Sequence, residues 1–144
     1  MEPLLKDKQR FWKKFWKKIL IIDDEPDITD TFKLGIESSN NSHNNDSKKI
    51  KVYPYNDPLV ALSEFKQDFY DLLLVDNDLP HMNGFELCEK ILEIDINVRV
   101  CFMSSGEINR EALREVYPAL SLGCFIKKPV SMDFLIQRIN PELD

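Results

Sequence analysis

Apolar residues in this chain fall into two patterns. Four short runs, at residues 19–22, 72–75, 98–103 and 124–126, are nearly continuous, and each is followed by polar residues. Runs of this length read as strands buried on both faces of a parallel sheet. A fifth segment, residues 50–55, alternates apolar and polar positions and contains Pro54, which predicts an edge strand. Between the strands the apolar residues take helical spacing. One helix is predicted from Pro26 to about residue 37, with Ile28, Phe32, Leu34 and Ile36 available for burial. Asn56-Asp57-Pro58 opens a second helix that runs to about residue 67, and Asn83 caps a third that carries Phe85, Leu87, Cys88, Ile91 and Leu92. A fourth starts near residue 107 and is cut short by Pro118, and a fifth covers residues 131–139. Strands and helices that alternate in this way predict an α/β fold, a doubly wound sheet of five strands with five helices.

The chain has 144 residues and 43% hydrophobic composition, enough for one domain with a substantial core. No apolar stretch has the length of a membrane span or the layout of a secretory signal, so a cytoplasmic location is expected. Cys88, Cys101 and Cys124 are odd in number, lack metal-ligand spacing and lie within apolar patterns. Reduced core thiols are the expectation. The net charge of −6 is uneven: residues 1–18 hold seven Lys/Arg against two Asp/Glu, a net +5, which leaves −11 on the rest. An acidic body argues against nucleic-acid binding.

The basic head divides the chain into residues 1–17, an amphipathic segment expected to be helical, and residues 18–144, a domain with a polar loop insertion at 38–49. At helical spacing Leu4, Leu5, Phe11, Trp12, Phe15 and Trp16 share one arc, with most lysines opposite. Docking on its own domain is the favoured expectation for this head. A partner's groove comes second, and a membrane surface contacted through residues 3–18 comes third.

Chemistry gathers where the strands end. Asp23-Asp24-Glu25 follow the first run, Asp76 the third strand, Ser104 the fourth, and Lys127-Lys128-Pro129 the fifth. Open α/β sheets bind ligands at the carboxyl ends of their strands, so these groups are expected around one pocket. Adjacent carboxylates at a strand end repel unless a cation intervenes. The segments IIDDEPDI, DLLLVDNDLPHMNGFEL, VRVCFMSSG and CFIKKPVS stand in register on the predicted strands. Together they closely resemble the receiver domain of two-component response regulators, over roughly residues 18–140, including the spacing Asp76-x-x-x-Pro80-x-x-x-Gly84.

The resemblance implies a flavodoxin-like sheet of order 2-1-3-4-5. It implies Mg2+, with Mn2+ as an alternative, held by Asp24, Asp76 and the backbone carbonyl of Asp78, with Asp23 acting chiefly through water. Asp76 is then the phosphoacceptor, taking a phosphoryl group from a phosphohistidine on a sensor histidine kinase or a histidine phosphotransfer protein. Lys128 offsets the charge that develops during transfer. Ser104 and Phe125 form a switch that passes the change to a downstream protein target. Asp78 and Gly106 match positions that tune dephosphorylation. The expected role is a stand-alone regulator, not an enzyme in the usual sense. Alternatives are a phosphorylation-independent adaptor and a phosphoryl shuttle or sink between kinases. A metal-dependent phosphatase fits less well, because Pro26 stands where its general acid would be. The segment Tyr117–Leu120 interrupts the fourth helix, part of the face that receivers use for partners, and a homodimer through that face stays open. Each residue also has a plainer explanation: an acidic helix start for residues 23–25, a surface lysine at 128, a cap at Ser104, core at Phe125 and a solvent-facing acid at Asp78.

Overall fold

A computed structural model describes residues 16–39, 49–120 and 123–143. Its centre is a parallel sheet of five strands: β1 (Trp16–Ile22), β2 (Lys49–Tyr55), β3 (Leu72–Asp76), β4 (Arg99–Ser104) and β5 (Phe125–Lys127). The strand order is β2-β1-β3-β4-β5, as expected. Five helices alternate with the strands: α1 (Pro26–Ser39), α2 (Pro58–Glu64), α3 (Gly84–Ile94), α4 (Arg110–Val116) and α5 (Met132–Ile139), the last followed by a 3-10 turn at Asn140–Leu143.

The apolar runs become strands because both of their faces are covered. Ile19–Ile22 and Leu72–Val75 are fully buried, and their alternate residues feed two separate cores. Ile19, Ile21, Leu72 and Leu74 pack with Ile36 of α1 and with Leu135 and Ile139 of α5. Leu20, Ile22, Leu73 and Val75 pack with Ala61 of α2 and with Leu87 and Ile91 of α3. A leucine or isoleucine buried this way contributes about 1.5–3 kcal/mol relative to exposure. β2 is an edge strand, so Pro54 forfeits its backbone donor without disrupting the sheet interior.

Caps fix several helix starts. Asp57 accepts from Leu59 N, Asn83 from Glu86 N, Asn109 from Ala112 N and Ser131 from Phe134 N. Each side chain satisfies a first-turn donor that has no partner within its helix. Tyr117, directly before Pro118, leaves helical geometry and ends α4, as that proline predicts.

Five expectations are corrected. Trp16, Lys17 and Lys18 belong to β1 and not to a helical head; the register pairs Trp16 with Lys49 and Lys18 with Lys51. The remainder of the head, residues 1–15, lies outside the described residues. α1 continues through Ser39 and β2 begins at Lys49, which narrows the insertion to residues 40–48, also outside the described set. α2 stops at Glu64, three residues early, because Phe65 turns extended to join an aromatic cluster with Tyr70. α4 starts at Arg110, where Asn109 supplies the cap that residue 107 cannot. Leu34, offered for burial, is 71% exposed.

The thiols also differ from expectation. Cys101 and Cys124 form a disulfide, while Cys88 stays free and buried. The physical reason is register: Phe102 pairs with Phe125, which sets the preceding residues side by side on neighbouring strands.

Candidate phosphoacceptor site

Four elements deliver the site. Asp23 directly follows β1, β3 ends in Asp76 and β4 in Ser104, and Lys128 follows β5. Asp23, Asp76 and Ser104 are 1%, 2% and 4% exposed, far drier than ordinary strand-end polar residues. The Lys128 ammonium joins the two acids, with Nζ 3.1 Å from Asp76 Oδ2 and 3.3 Å from Asp23 Oδ2. The remaining carboxylate oxygens take backbone donors: Asp78 N–H donates to Asp76 Oδ1 at 3.1 Å, and Glu25 N–H to Asp23 Oδ1 at 3.0 Å. The Lys128–Pro129 peptide is cis, and Lys128 N–H donates to the Ser104 carbonyl at 2.9 Å, tying β5 to β4 at the site.

Burial pushes the Asp76 carboxyl above the ordinary carboxylate range. The Asp23 charge adds to that rise, against the opposing Asp78 N–H and the Lys128 ammonium. Lys128 itself is partly desolvated, which alone would lower its pKa. Its hydrogen bonds and attraction to Asp76 and Asp23 outweigh that, and the net shift is upward.

Asp23, Asp24 and Asp76 each bring a carboxylate oxygen within 4.8 Å of the others, with Asp24 exposed at the mouth. This donor set is all oxygen and carries excess negative charge, which fits a hard divalent cation such as Mg2+. Asp78 contributes its N–H to the acceptor, and its exposed side chain accepts from Ser105 Oγ at 3.4 Å. Glu25 is exposed beside the pocket. Gly106 N–H donates to Ser104 Oγ at 3.2 Å, so Ser104 bonds its own loop and does not cap α4.

Phe125 is half-buried and stacks on Phe102, with centroids 5.5 Å apart. The Arg110 guanidinium lies over the Phe125 ring, 5.1 Å from its centroid. Ser104, Arg110 and Phe125 line one cleft of about 350 Å3.

Two contributors escaped the sequence reading, and a third residue gains its reason. Asn56, at the end of β2, donates through Nδ2 to the Asp23 carbonyl at 2.8 Å and to Thr29 Oγ1 at 3.0 Å, pinning the acidic loop to α1. The composition signal there was only a turn residue. Arg110 fell inside the fourth predicted helix with nothing in the local pattern to single it out. Gly84 closes its motif for a steric reason: a Cβ there would lie 2.7 Å from the Asp76 carbonyl oxygen and 2.9 Å from Val75 Cγ1.

The fold and the strand-end pocket define a doubly wound α/β domain with an acidic, lysine-bridged site at the carboxyl ends of its strands. The sequence profile of the response regulator receiver domain matches residues 19–140, and the chain belongs to that family. Transcriptional regulatory protein CutR of Streptomyces coelicolor is 25% identical over 126 residues, covering 85% of this chain and 52% of CutR. Cyclic di-GMP phosphodiesterase response regulator RpfG of Xanthomonas campestris pv. campestris is 28% identical over 123 residues, 85% of this chain and 28% of its own length. The chain thus spans about half, or less, of these curated relatives. Among solved structures, a CheY-like receiver domain protein from Methanospirillum hungatei JF-1 superposes with TM-score 0.71 at 25% identity, covering 90% of this chain and 94% of that one. The non-phosphorylated HemR receiver domain from Leptospira biflexa gives TM-score 0.73 at 23% identity, covering 89% and 94%, a likeness of fold.

Proposed function

We propose that the chain accepts a phosphoryl group on Asp76, in a reaction that depends on Mg2+, and signals through a change in its partner-binding face. The observation that carries this reading is the Lys128 bridge between two buried acids, 3.1 Å from Asp76 and 3.3 Å from Asp23. The donor is a phosphohistidine of a sensor histidine kinase or histidine phosphotransfer protein. An Asp76 carboxylate oxygen forms a new bond to phosphorus, the phosphorus–nitrogen bond breaks, and the imidazole leaves with the electron pair and takes up a proton.

Asp23, Asp24 and Asp76 would hold the cation, together with the Asp78 carbonyl that family resemblance suggests. Bound Mg2+ supplies positive charge that neutralises phosphoryl oxygens and aligns the transfer. Lys128 supplies a second, fixed charge and holds the Asp76 oxygens in place. The Ser104 hydroxyl sits at the rim with its hydrogen free to turn toward a new anion. The cleft it shares with Phe125 gives the ring room to follow, and Arg110 is the contact that the ring gives up. Phosphorylation thereby biases one two-state element, with α4 and β5 as the face that changes. In this reading the protein works in the cytoplasm as an acceptor that assists its own phosphorylation and dephosphorylation, and it turns over no other substrate.

The test is intact mass after incubation with phosphoramidate, with and without Mg2+, beside Asp76→Asn. One adduct that needs Mg2+ and is absent from the variant supports the reading. An unlabelled chain, under conditions that label a control receiver, overturns it in favour of a phosphorylation-independent adaptor.

A further inference from the structure

The end of the sheet opposite the acceptor pocket carries a second ordered surface. Lys18 of β1 and Lys51 of β2 are directly in register, as are Trp16 and Lys49. Strand alternation puts all four on the face to which Leu20 and Tyr53 belong, and both of those pack in the α2–α3 core. Every lysine there lies over a ring. Lys18 Nζ is 4.7 Å from the Phe69 centroid and Lys66 Nζ 5.3 Å from the same ring. Lys49 Nζ lies 5.5 Å over Trp16, and Lys51 Nζ 5.6 Å over Tyr53. Among the described residues, none of these four ammoniums is ion-paired with a carboxylate. Four ammoniums without a carboxylate partner among the described residues form a basic patch on a chain of net charge −6.

We propose that this basic-aromatic face binds an anionic phospholipid surface. Charge complementarity requires an anionic partner, and three further features narrow the class. The cations are all lysines, point charges without the planar fork that reads carboxylates or phosphates two at a time. An ammonium lies over each of the Trp16, Tyr53 and Phe69 rings, in the position a stacking base would take. Lysine ammoniums held beside Trp16 and Tyr53 suit the water–lipid boundary, where tryptophan and tyrosine concentrate. The sequence immediately before Trp16 continues the same composition: residues 1–15 add five Lys/Arg, with Phe11, Trp12 and Phe15. Clusters of four to eight basic residues are the usual scale for attraction to anionic lipid.

The face lies at the N-terminal ends of β1 and β2, and the acceptor pocket at the C-terminal ends. The seven residues of β1 separate them by roughly 20 Å. Lipid and a phosphoryl donor can therefore be engaged together.

The experiment is co-sedimentation of the full chain with vesicles of phosphatidylcholine alone, or mixed with phosphatidylglycerol. The chain is expected to pellet with the anionic vesicles only and to be released by salt. The Lys49→Glu/Lys51→Glu variant, with an unchanged thermal midpoint, is expected to bind about tenfold or more weakly. The charge-matched Lys90→Glu/Arg114→Glu variant, altered elsewhere on the surface, is expected to bind as the parent does. Three results overturn the proposal: no pelleting with anionic vesicles, equal weakening by both double variants, or tighter binding to an oligodeoxythymidylate than to the vesicles.

Discussion

Lys128 Nζ and Asp76 Oδ2 stand 3.1 Å apart, so the carboxylate proposed as the acceptor is already paired with the charge that would stabilise its phosphorylated form. The same ammonium reaches Asp23, which makes Lys128 the only described cation in ion-pair contact with either buried acid. Lys128→Ala is expected to slow phosphoryl acceptance by about 10^2-fold or more, the scale of losing one preorganised charge. Mg2+ affinity should rise, because the pocket becomes more negative. An adduct time course by mass spectrometry and a Mg2+ titration by calorimetry check both signs.

Burial raises the Asp76 pKa above 3.8, so the fold holds that proton more tightly than the unfolded chain does. Ionising Asp76 therefore costs stability as pH rises from about 3.8 through the raised folded value, and that cost persists at neutral pH. The raised pKa of Lys128 works at the other end: its contribution is present below 10.5 and lost as pH climbs through its higher folded value. In chelator, Asp76→Asn is expected to raise Tm at pH 7 by roughly 3 °C, about 1 kcal/mol. The advantage should shrink as pH falls toward the acid range. Thermal scans across pH, with EDTA and then with Mg2+, read this directly; Mg2+ should stabilise the parent more than the variant.

The Asp78 carboxylate is exposed at the pocket mouth and accepts from Ser105 Oγ at 3.4 Å. A negative charge there repels a neighbouring acyl phosphate and can orient an attacking water, and both effects shorten the phosphoryl lifetime. Asp78→Asn is expected to slow decay about threefold or more, a change on the order of 0.7 kcal/mol in the barrier. An unchanged decay rate would leave Asp78 as a solvent-facing acid.

Gly84 is required by a close approach to the acceptor strand. A Cβ would meet the Asp76 carbonyl oxygen at 2.7 Å and Asn77 Cα at 3.2 Å, and backbone atoms in a buried strand end have little room to yield. Gly84→Ala should cost about 1–3 kcal/mol, the range for overpacking, and reduce adduct formation by displacing Asp76. Denaturant unfolding and the adduct time course measure the two effects.

The Cys101–Cys124 bond closes a loop with a sequence separation of 23, for which chain entropy gives about 3 kcal/mol of stabilisation. Alkylation of the unfolded, unreduced chain should add one group, at Cys88, and reduction beforehand should raise that to three. Three groups without reduction would show that the pair is present as thiols.

The parallel sheet was legible because fully buried strands must be apolar on both faces, which is how residues 19–22 and 72–75 read. The strand-end pocket was legible because the apolar runs lead into polar side chains, and topology sends all those ends to one edge. Cap residues Asn83, Asp57 and Ser131 behave as their local chemistry dictates. What stayed hidden depends on register or on long-range contacts. The Cys101–Cys124 adjacency follows from the pairing of Phe102 with Phe125, which sequence spacing does not encode. Trp16–Lys18 satisfies a helical arc and a strand alternation equally well over so few residues. Cross-strand bonds decide for the strand: Lys18 N–H donates to Asp71 Oδ2 at 2.9 Å, and Asp71 N–H donates to the Lys18 carbonyl at 2.8 Å. Asn56 acts on Asp23 across two strands, a role no local pattern announces.

Asp76 is proposed as the residue that carries the phosphoryl group, and chemical trapping tests this most directly. Borohydride reduction of the phosphoramidate-treated chain converts an aspartyl phosphate to homoserine, and peptide mass spectrometry then locates the change. Homoserine is expected at position 76, dependent on Mg2+ and absent from untreated protein. Modification at Asp23, Asp24 or Asp78 instead, or at a histidine, would contradict it.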